Sequence, residues 1–330
     1  MRDSNGLSRQ APMRRLFVLS LMFVAAILSC GKDVTGPLGA AARYVRGLAF
    51  NPVFPAVFQE AGGASSGVVQ FSKVHVVLHH TDGSVALDTT IDFPAGADSL
   101  TVDLTVKLLD GAPATGEPMT LNLGYLNAAG DTVFKGGPVS LTAAPPSTTG
   151  APSPPVQVPV SYTGPGSTAT TVVIAQHAGT AVAGAGFTFL AVAKDQNGVV
   201  LPNAPIIWNS LDPAIASVNS PAAGVVTAHD VRGTARIIAQ LFSGGADTAT
   251  LAVTLPASQL ILQSGNAQTG TVGTNLAQPL VVKVAASDGV GVQGTTVTFA
   301  VASGGGSVTN TSAVSDANGL AQTTFKLGTG

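Results

Sequence analysis

The sequence predicts an all-β protein that is built from several small β-sandwiches in a row. Three observations indicate this fold class. Gly and Pro account for 39 and 21 of the 330 residues, and they supply the turns that short strands need. Between these turns, segments rich in Val, Thr, Ala and Ser alternate apolar and polar residues, as half-buried strands do. Few stretches show helical spacing, and the length suits about two to three domains.

The composition also limits the partners that the chain can bind. Charged residues make up 10% of the chain, its formal net charge is −2, and no basic stripe follows the first fifteen residues. Binding to nucleic acid requires clustered Lys and Arg, so we expect no nucleic-acid partner. A single Cys cannot form an intramolecular disulfide, but domains of roughly 80–120 residues can fold without one.

The first thirty residues have the features of an export signal. Arg14 and Arg15 precede an apolar run over residues 16–28, and small residues follow it. This order is typical of a secretory signal peptide. The run is shorter than the about 20 residues that a membrane-spanning helix needs. A buried core helix is the alternative, although the sequence offers no further helical segment for it to pack against.

The residues Ile27-Leu28-Ser29-Cys30 resemble a bacterial lipobox, at which a diacylglyceryl group joins the Cys thiol. The resemblance implies that residues 1–29 are a lipoprotein signal peptide and that Cys30 is the lipid attachment site. It makes the membrane a partner, because several acyl chains on one residue anchor stably, at about 0.8 kcal/mol per buried CH₂. Gly31 rather than Asp follows Cys30. By analogy this implies an outer-membrane lipoprotein that faces the periplasm or the cell surface.

The first predicted domain covers residues 46–166, after a tether over 30–45. Six or more strands that each have one apolar face predict a β-sandwich. Alternation is most regular between Leu100 and Leu108. A loop rich in Pro at 144–155 cannot form a ladder. The predicted strands cover residues 68–78, 84–93, 100–108, 119–126, 132–142 and 156–162.

The second predicted domain covers residues 168–256. Four of its segments carry a family pattern, at 208–213, 215–218, 224–228 and 233–239. In their order and spacing they resemble the group 2 bacterial immunoglobulin-like family, and the resemblance implies an immunoglobulin-like β-sandwich. We expect Trp208 to anchor its core, with an exposed platform for sugar stacking as the alternative.

The third predicted domain covers residues 257–330. Four of its segments carry a family pattern, at 280–284, 294–299, 304–306 and 316–321. They resemble the group 1 bacterial immunoglobulin-like family of invasin and intimin stalks, although Gly291 stands where the family has Pro, while Val292 is kept. The family supplies one more strand after residues 327–330, so we expect a truncated sandwich with an unpaired edge and further modules or a functional head downstream.

Two motifs of known enzymes occur without the structure that their chemistry needs. Residues 63–67 read Gly-x-Ser-x-Gly, but a strand rather than a helix is predicted next, so we interpret them as a loop. Residues 289–294 read Gly-x-Gly-x-x-Gly, but the strand-like segment 295–299 follows. Without a helix N-terminus this is a hairpin connection rather than a dinucleotide site.

Two further groups of residues invite a metal site. On a strand, His75 and His79 point to one face and His80 to the other, which favours exposed surface residues over a zinc site. Segments 195–198 and 316–319 each offer one carboxylate, too few for Ca²⁺, and are predicted to be turns. The sequence therefore predicts no catalytic, cofactor-binding or metal site.

These observations lead to two functional hypotheses. The first is a lipid-anchored structural or adhesin-like protein of the cell envelope, whose domains form a stalk or bind surface glycans or other cell-surface proteins. The second is a non-catalytic spacer or carbohydrate-binding portion of a larger envelope enzyme. Neither hypothesis makes this chain an enzyme. An enzymatic first domain would need a polar cleft that the sequence does not reveal.

Overall fold

The computed structural model confirms the all-β prediction. It contains twenty-four strands and one short helix among the residues it describes. None of the helices in that part of the chain has the length and apolar character needed to cross a membrane. The described residues are 44–48, 50–60, 63, 67–93, 104–113, 115–144 and 155–329.

The elements follow one another along the chain in three groups. Up to residue 162 they are β1 (Tyr44–Leu48), β2 (Phe50–Val53), α1 (Ala56–Glu60), β3 (Lys73–His80), β4 (Val85–Asp92), β5 (Leu104–Lys107), β6 (Glu117–Leu126), β7 (Thr132–Ala143) and β8 (Val156–Tyr162). Next come β9 (Thr171–Ile174), β10 (Ala178–Val182), β11 (Gly186–Thr188), β12 (Ala191–Lys194), β13 (Ile207–Ser210), β14 (Ala216–Ser220), β15 (Ala223–Ala228), β16 (Gly233–Gln240) and β17 (Ala246–Thr254). The last are β18 (Gln259–Ser264), β19 (Leu280–Ala285), β20 (Thr296–Thr298), β21 (Ser307–Val308), β22 (Ser312–Val314), β23 (Leu320–Thr323) and β24 (Phe325–Lys326).

These strands form eight sheets, and the chain groups into two compact units. The sheet orders are β1-β5, β2-β8-β7-β6-β3-β4, β12-β9, β10-β17-β16-β13, β11-β15-β14, β18-β19-β23, β20-β22 and β21-β24. The first unit takes in Met1–Val173, Val192–Ile207 and Gln240–Ala246, and the second Ile174–Ala191, Trp208–Ala239 and Asp247–Gly330. The three domains predicted from the sequence stay a prediction.

The six-stranded sheet of the first unit follows the predicted alternation closely. β8 has the predicted bounds, and β6 and β7 differ from prediction by two residues or fewer at each end. The strand predicted over 68–78 is wrong at its start, because 67–69 form a bend and β3 begins only at Lys73. Within the strand predicted over 100–108, the structure shows β5 at Leu104–Lys107, and 100–103 lie outside the described residues.

A cluster of aromatic rings fills the core of the first unit. Phe54 lies at its centre, with ring centroids 5.0 Å from Tyr125 and 5.3 Å from Phe134. Phe242, in the turn between β16 and β17, joins this aromatic cluster 5.5 Å from Phe134. Such ring pairs contribute beyond the burial of their area. The full aromatic cluster consists of Phe54, Phe58, Phe71, Phe93, Tyr125, Phe134, Tyr162 and Phe242.

Trp208 lies in the core of the second unit, where the sequence predicted it. Trp208 is 5% exposed and its indole stacks on Phe189 at a centroid distance of 6.4 Å. Gly224 lies directly against both, and a side chain there would collide with the Phe189 carbonyl and the indole. The prediction that Trp208 is a core residue is confirmed.

The strands from β18 onward enclose a much smaller core. Its apolar cluster consists of the buried Val284, Val297 and Ala321, with Val282 and Phe299 among the partly buried side chains packed against them. Every residue of β18 is exposed. This part of the second unit therefore leaves much of its apolar surface in contact with solvent.

Candidate functional site

The predicted lipid attachment site, Cys30, lies outside the described residues, as does Ser65 of the Gly-x-Ser-x-Gly motif. After that motif the chain forms a bend rather than a helix. The Gly-x-Gly-x-x-Gly segment is a connection between strands, as predicted. The Gly289 N–H donates to the Ala286 carbonyl at 3.0 Å, and the Ala286 N–H donates to the Val290 carbonyl at 2.9 Å.

The two segments considered for calcium are turns, as predicted. Asp195 Oδ1 accepts the N–H groups of Asn197 and Val199, both at 2.9 Å. Asp316 Oδ1 accepts those of Asn318 and Leu320 in the same way, both at 2.8 Å. Each carboxylate is thus used to close its own turn, as Asp side chains commonly do.

The three histidines of β3 are not equivalent. His75 is partly exposed, and its Nε2 lies 2.7 Å from Asp88 Oδ1 on the neighbouring strand β4. The prediction that these histidines are exposed is wrong for His80, which is 9% exposed. The period of two puts His80 on the same face as the buried Val74, Val76 and Leu78.

A buried carboxylate that the sequence analysis missed is the partner of His80. Glu117, at the start of β6, is 3% exposed, and its Oε1 lies 2.6 Å from His80 Nδ1. Its Oε2 accepts the N–H of Leu109 at 2.8 Å. No local signal points to this pair, because 37 residues separate its members. The pair ties β3 and β6 to the segment after β5.

Ion pairs near the surface of the second unit connect its strands β16 and β17 to neighbouring loops. Arg236 donates from two guanidinium nitrogens to Asp212, and this hydrogen bonding lowers the pKa of Asp212 to about 2. Burial acts to raise the pKa of Asp247. Hydrogen bonds from the Ile174 N–H and from His177 outweigh that effect, and the net pKa is lowered.

In the part of the chain that the structure describes, no three His, Cys, Asp or Glu side chains are grouped to hold a metal ion.

A shallow cleft of about 220 Å³ opens beside the aromatic cluster in the first unit. The rings of Tyr162 and Phe242, 4.8 Å apart, are part of its wall. The Tyr162 hydroxyl donates to the Pro165 carbonyl at 2.9 Å, and burial raises the pKa of Tyr162 to about 12. Further residues of the wall include Pro55, Ser161, Ser167, Pro205 and Ser243.

The cleft is smaller than the roughly 300–1,000 Å³ of ordinary small-molecule pockets. Aromatic faces next to hydroxyl groups can stack on one face of a ring and hydrogen-bond its edge. The cleft could thus accept a single small ring, such as one sugar residue.

Solved structures align with the chain at low identity. The adhesin FdeC of Escherichia coli aligns at 18% identity over 90% of this chain and 91% of that one, with a TM-score of 0.35. The D00-D0 domain of intimin aligns at 14% over 48% and 85%, with a TM-score of 0.28. The S-layer protein SbsC aligns at 13% over 86% and 51%, also with a TM-score of 0.28. These values do not place the chain in a family.

No protein-family model and no curated protein matches the chain. The resemblance of residues 168–256 and 257–330 to the group 2 and group 1 bacterial immunoglobulin-like families stays a prediction.

Proposed function

We propose that this chain is a lipid-anchored protein of the cell envelope whose β-sandwich domains serve as a stalk or binding surface rather than as an enzyme. The observation that carries the proposal is the position of the single Cys of the chain. Cys30 follows a basic and then apolar leader directly, where lipid attachment requires a thiol. Acyl chains on Cys30 would hold all later residues at a membrane surface.

The pairing of the strands favours a row of domains at 46–166, 168–256 and 257–330. β1 to β8 pair only with one another, and the same holds for β9 to β17 and for β18 to β24. No described sheet therefore crosses residues 166–168 or 256–257. Strands that pair only within their own predicted domain suit a protein that spans distance from an anchor.

The test is metabolic labelling with radioactive palmitate in a diderm bacterium, with and without globomycin. We expect label on the wild-type chain, no label on Cys30→Ala, and accumulation of the uncleaved chain with globomycin. Ser29→Ala is the matched control, because it changes a neighbouring small residue and keeps the thiol. A wild-type chain that carries no label would remove the anchor from the proposal.

A second candidate function is carbohydrate binding, as part of a larger envelope enzyme. The cleft beside Tyr162 and Phe242 favours it, since aromatic walls and hydroxyl groups suit a sugar ring. Ser243→Trp would fill the cleft from an exposed position, and Ser307→Trp on β21 is a control outside the cleft. We expect glycan-array binding to disappear only with the first variant. A wild-type chain that binds no glycan would contradict this function.

A further inference from the structure

We propose that β18 is a self-association surface through which two copies of this chain pair as antiparallel strands. The proposal goes beyond the proposed function and does not depend on the Cys30 anchor. It rests on the exposure of β18, on the direction of its backbone groups and on the order of its side chains.

β18 presents apolar side chains to solvent on both faces. Leu260, Ile261 and Leu262 are 62%, 40% and 54% exposed. The strand lies at the edge of the sheet β18-β19-β23. Soluble proteins usually protect such edges with charge, Pro or a bulge, because an exposed apolar edge is a template for another strand. Residues 259–262 carry no charge and no Pro, and the register shift comes only after them.

The backbone of β18 is free to pair along this edge. Leu260 lies opposite Val284. The Val284 N–H donates to the Gly319 carbonyl and the Val284 carbonyl accepts the Val292 N–H, so both groups of Val284 point away from β18. In an antiparallel ladder the direction of these groups alternates from residue to residue. Leu260 and Leu262 therefore direct their N–H and C=O groups outward, while Ile261 directs its groups to β19.

The sequence of β18 is palindromic, so two antiparallel copies of the strand place the same residue types opposite each other. Residues 259–263 read Gln-Leu-Ile-Leu-Gln in both directions. Two copies related by a two-fold axis at Ile261 would bring each Leu260 opposite the Leu262 of the second copy. The outward-directed groups of these leucines would then exchange hydrogen bonds. This match favours a second copy as the occupant over an unrelated strand.

Pairing of this kind is expected to be weak and reversible. A six-residue strand is about 20 Å long. Pairing through it alone would bury on the order of 400 Å² of each copy, below the roughly 1,200 Å² in total that stable interfaces reach. No like charges oppose the approach within residues 259–264. The dimer should accordingly form at high protein concentration and dissociate on dilution.

Site-directed disulfide formation tests the proposed register. The full chain with Cys30→Ser provides a background without thiols, and Ile261→Cys places one thiol on the two-fold axis. Opposed residues of a non-hydrogen-bonded pair have Cα atoms about 4.5 Å apart, within the range of a disulfide. We expect Ile261→Cys to form covalent dimers under copper phenanthroline at least about tenfold faster than Val290→Cys, which is exposed on a loop.

Two neighbours on the same strand make the test specific for register. Leu260→Cys alone should link poorly, because identical diagonal positions lie about 7–8 Å apart. A mixture of Leu260→Cys and Leu262→Cys should link efficiently, since these residues face each other. Equal rates for all variants would indicate non-specific collision and would overturn the proposal.

Sedimentation equilibrium of the full chain provides a test without thiols. The double variant with Leu260→Lys and Leu262→Lys places like charges opposite each other in the dimer. It should raise the dimer dissociation constant by at least about tenfold. Val272→Lys with Val314→Lys adds the same charge at sites that are 66% and 62% exposed and should leave it unchanged. Circular dichroism checks that both variants fold. A wild-type chain that stays monomeric at millimolar concentration would overturn the proposal. A monomer in which another part of the same chain covers β18 would overturn it as well.

Discussion

His80 and His75 provide a matched comparison between a buried and an exposed histidine–carboxylate pair on one strand. The distances to Glu117 and Asp88 are 2.6 Å and 2.7 Å, but the side chains of the first pair are 7% and 5% exposed and those of the second 39% and 60%. His80→Leu leaves the Glu117 carboxylate buried with the Leu109 N–H as its remaining partner. Removing one member of a buried pair costs about 3–5 kcal/mol.

His75→Leu removes a pair that water already solvates, and it should lower the free energy of unfolding by less than about 1 kcal/mol. The assay is urea denaturation of the full chain, followed by Tyr125-dependent near-ultraviolet circular dichroism. Tyr125 is buried in the same core, so its part of the signal reports on the first unit, whereas Trp208 contributes the signal of the second. Equal destabilisation by the two variants would refute the argument that burial decides the cost. So would a His80→Leu chain as stable as the wild type.

Three other predictions follow from packing, backbone geometry and charge. Phe242→Ala should destabilise the first unit by about 2–3 kcal/mol, because it removes a half-buried ring from the aromatic cluster; urea denaturation measures this, and an unchanged midpoint would contradict it. Gly319→Ala should destabilise the second unit more than Gly289→Ala in thermal unfolding. Both glycines have positive φ, but only a side chain at Gly319 meets neighbouring backbone, so equal effects would contradict the reasoning. Asp212, with its pKa near 2, stabilises the fold above the ordinary Asp pKa of about 3.9, and this stability is lost as the pH falls toward 2. Asp212→Asn should therefore flatten the pH dependence of stability between about pH 4 and 2, and an unaltered slope would exclude this carboxylate as its source.

The sequence predicted most features that arise from local alternation. Both ends of β8 were predicted correctly, because a Pro-rich segment precedes its alternating apolar residues and a Gly-rich segment follows them. Trp208 was predicted as a core residue from its place in the resemblance to a known family. The start of β3 was predicted too early, because Val68 and Val69 are apolar but belong to a bend.

Features that depend on residues far apart in sequence could not be predicted in this way. The carboxylate partner of His80 lies 37 residues away, and neither residue alone signals a buried pair. Phe242 lies in a turn, where an aromatic residue would be expected to face solvent, yet it packs against Phe58 and Phe134. Such contacts follow from the arrangement of the chain in three dimensions rather than from periodicity.

The central claim, that acyl chains on Cys30 hold these β-sandwich domains at a membrane, is tested most directly by mass spectrometry. The chain would be purified from bacterial membranes with detergent and digested, and its N-terminal peptide identified. We predict a mature N-terminus at Cys30, with a mass increase equal to a diacylglyceryl group and an amide-linked acyl chain. A peptide that runs uncleaved through residues 28–32 with an unmodified thiol would contradict the claim.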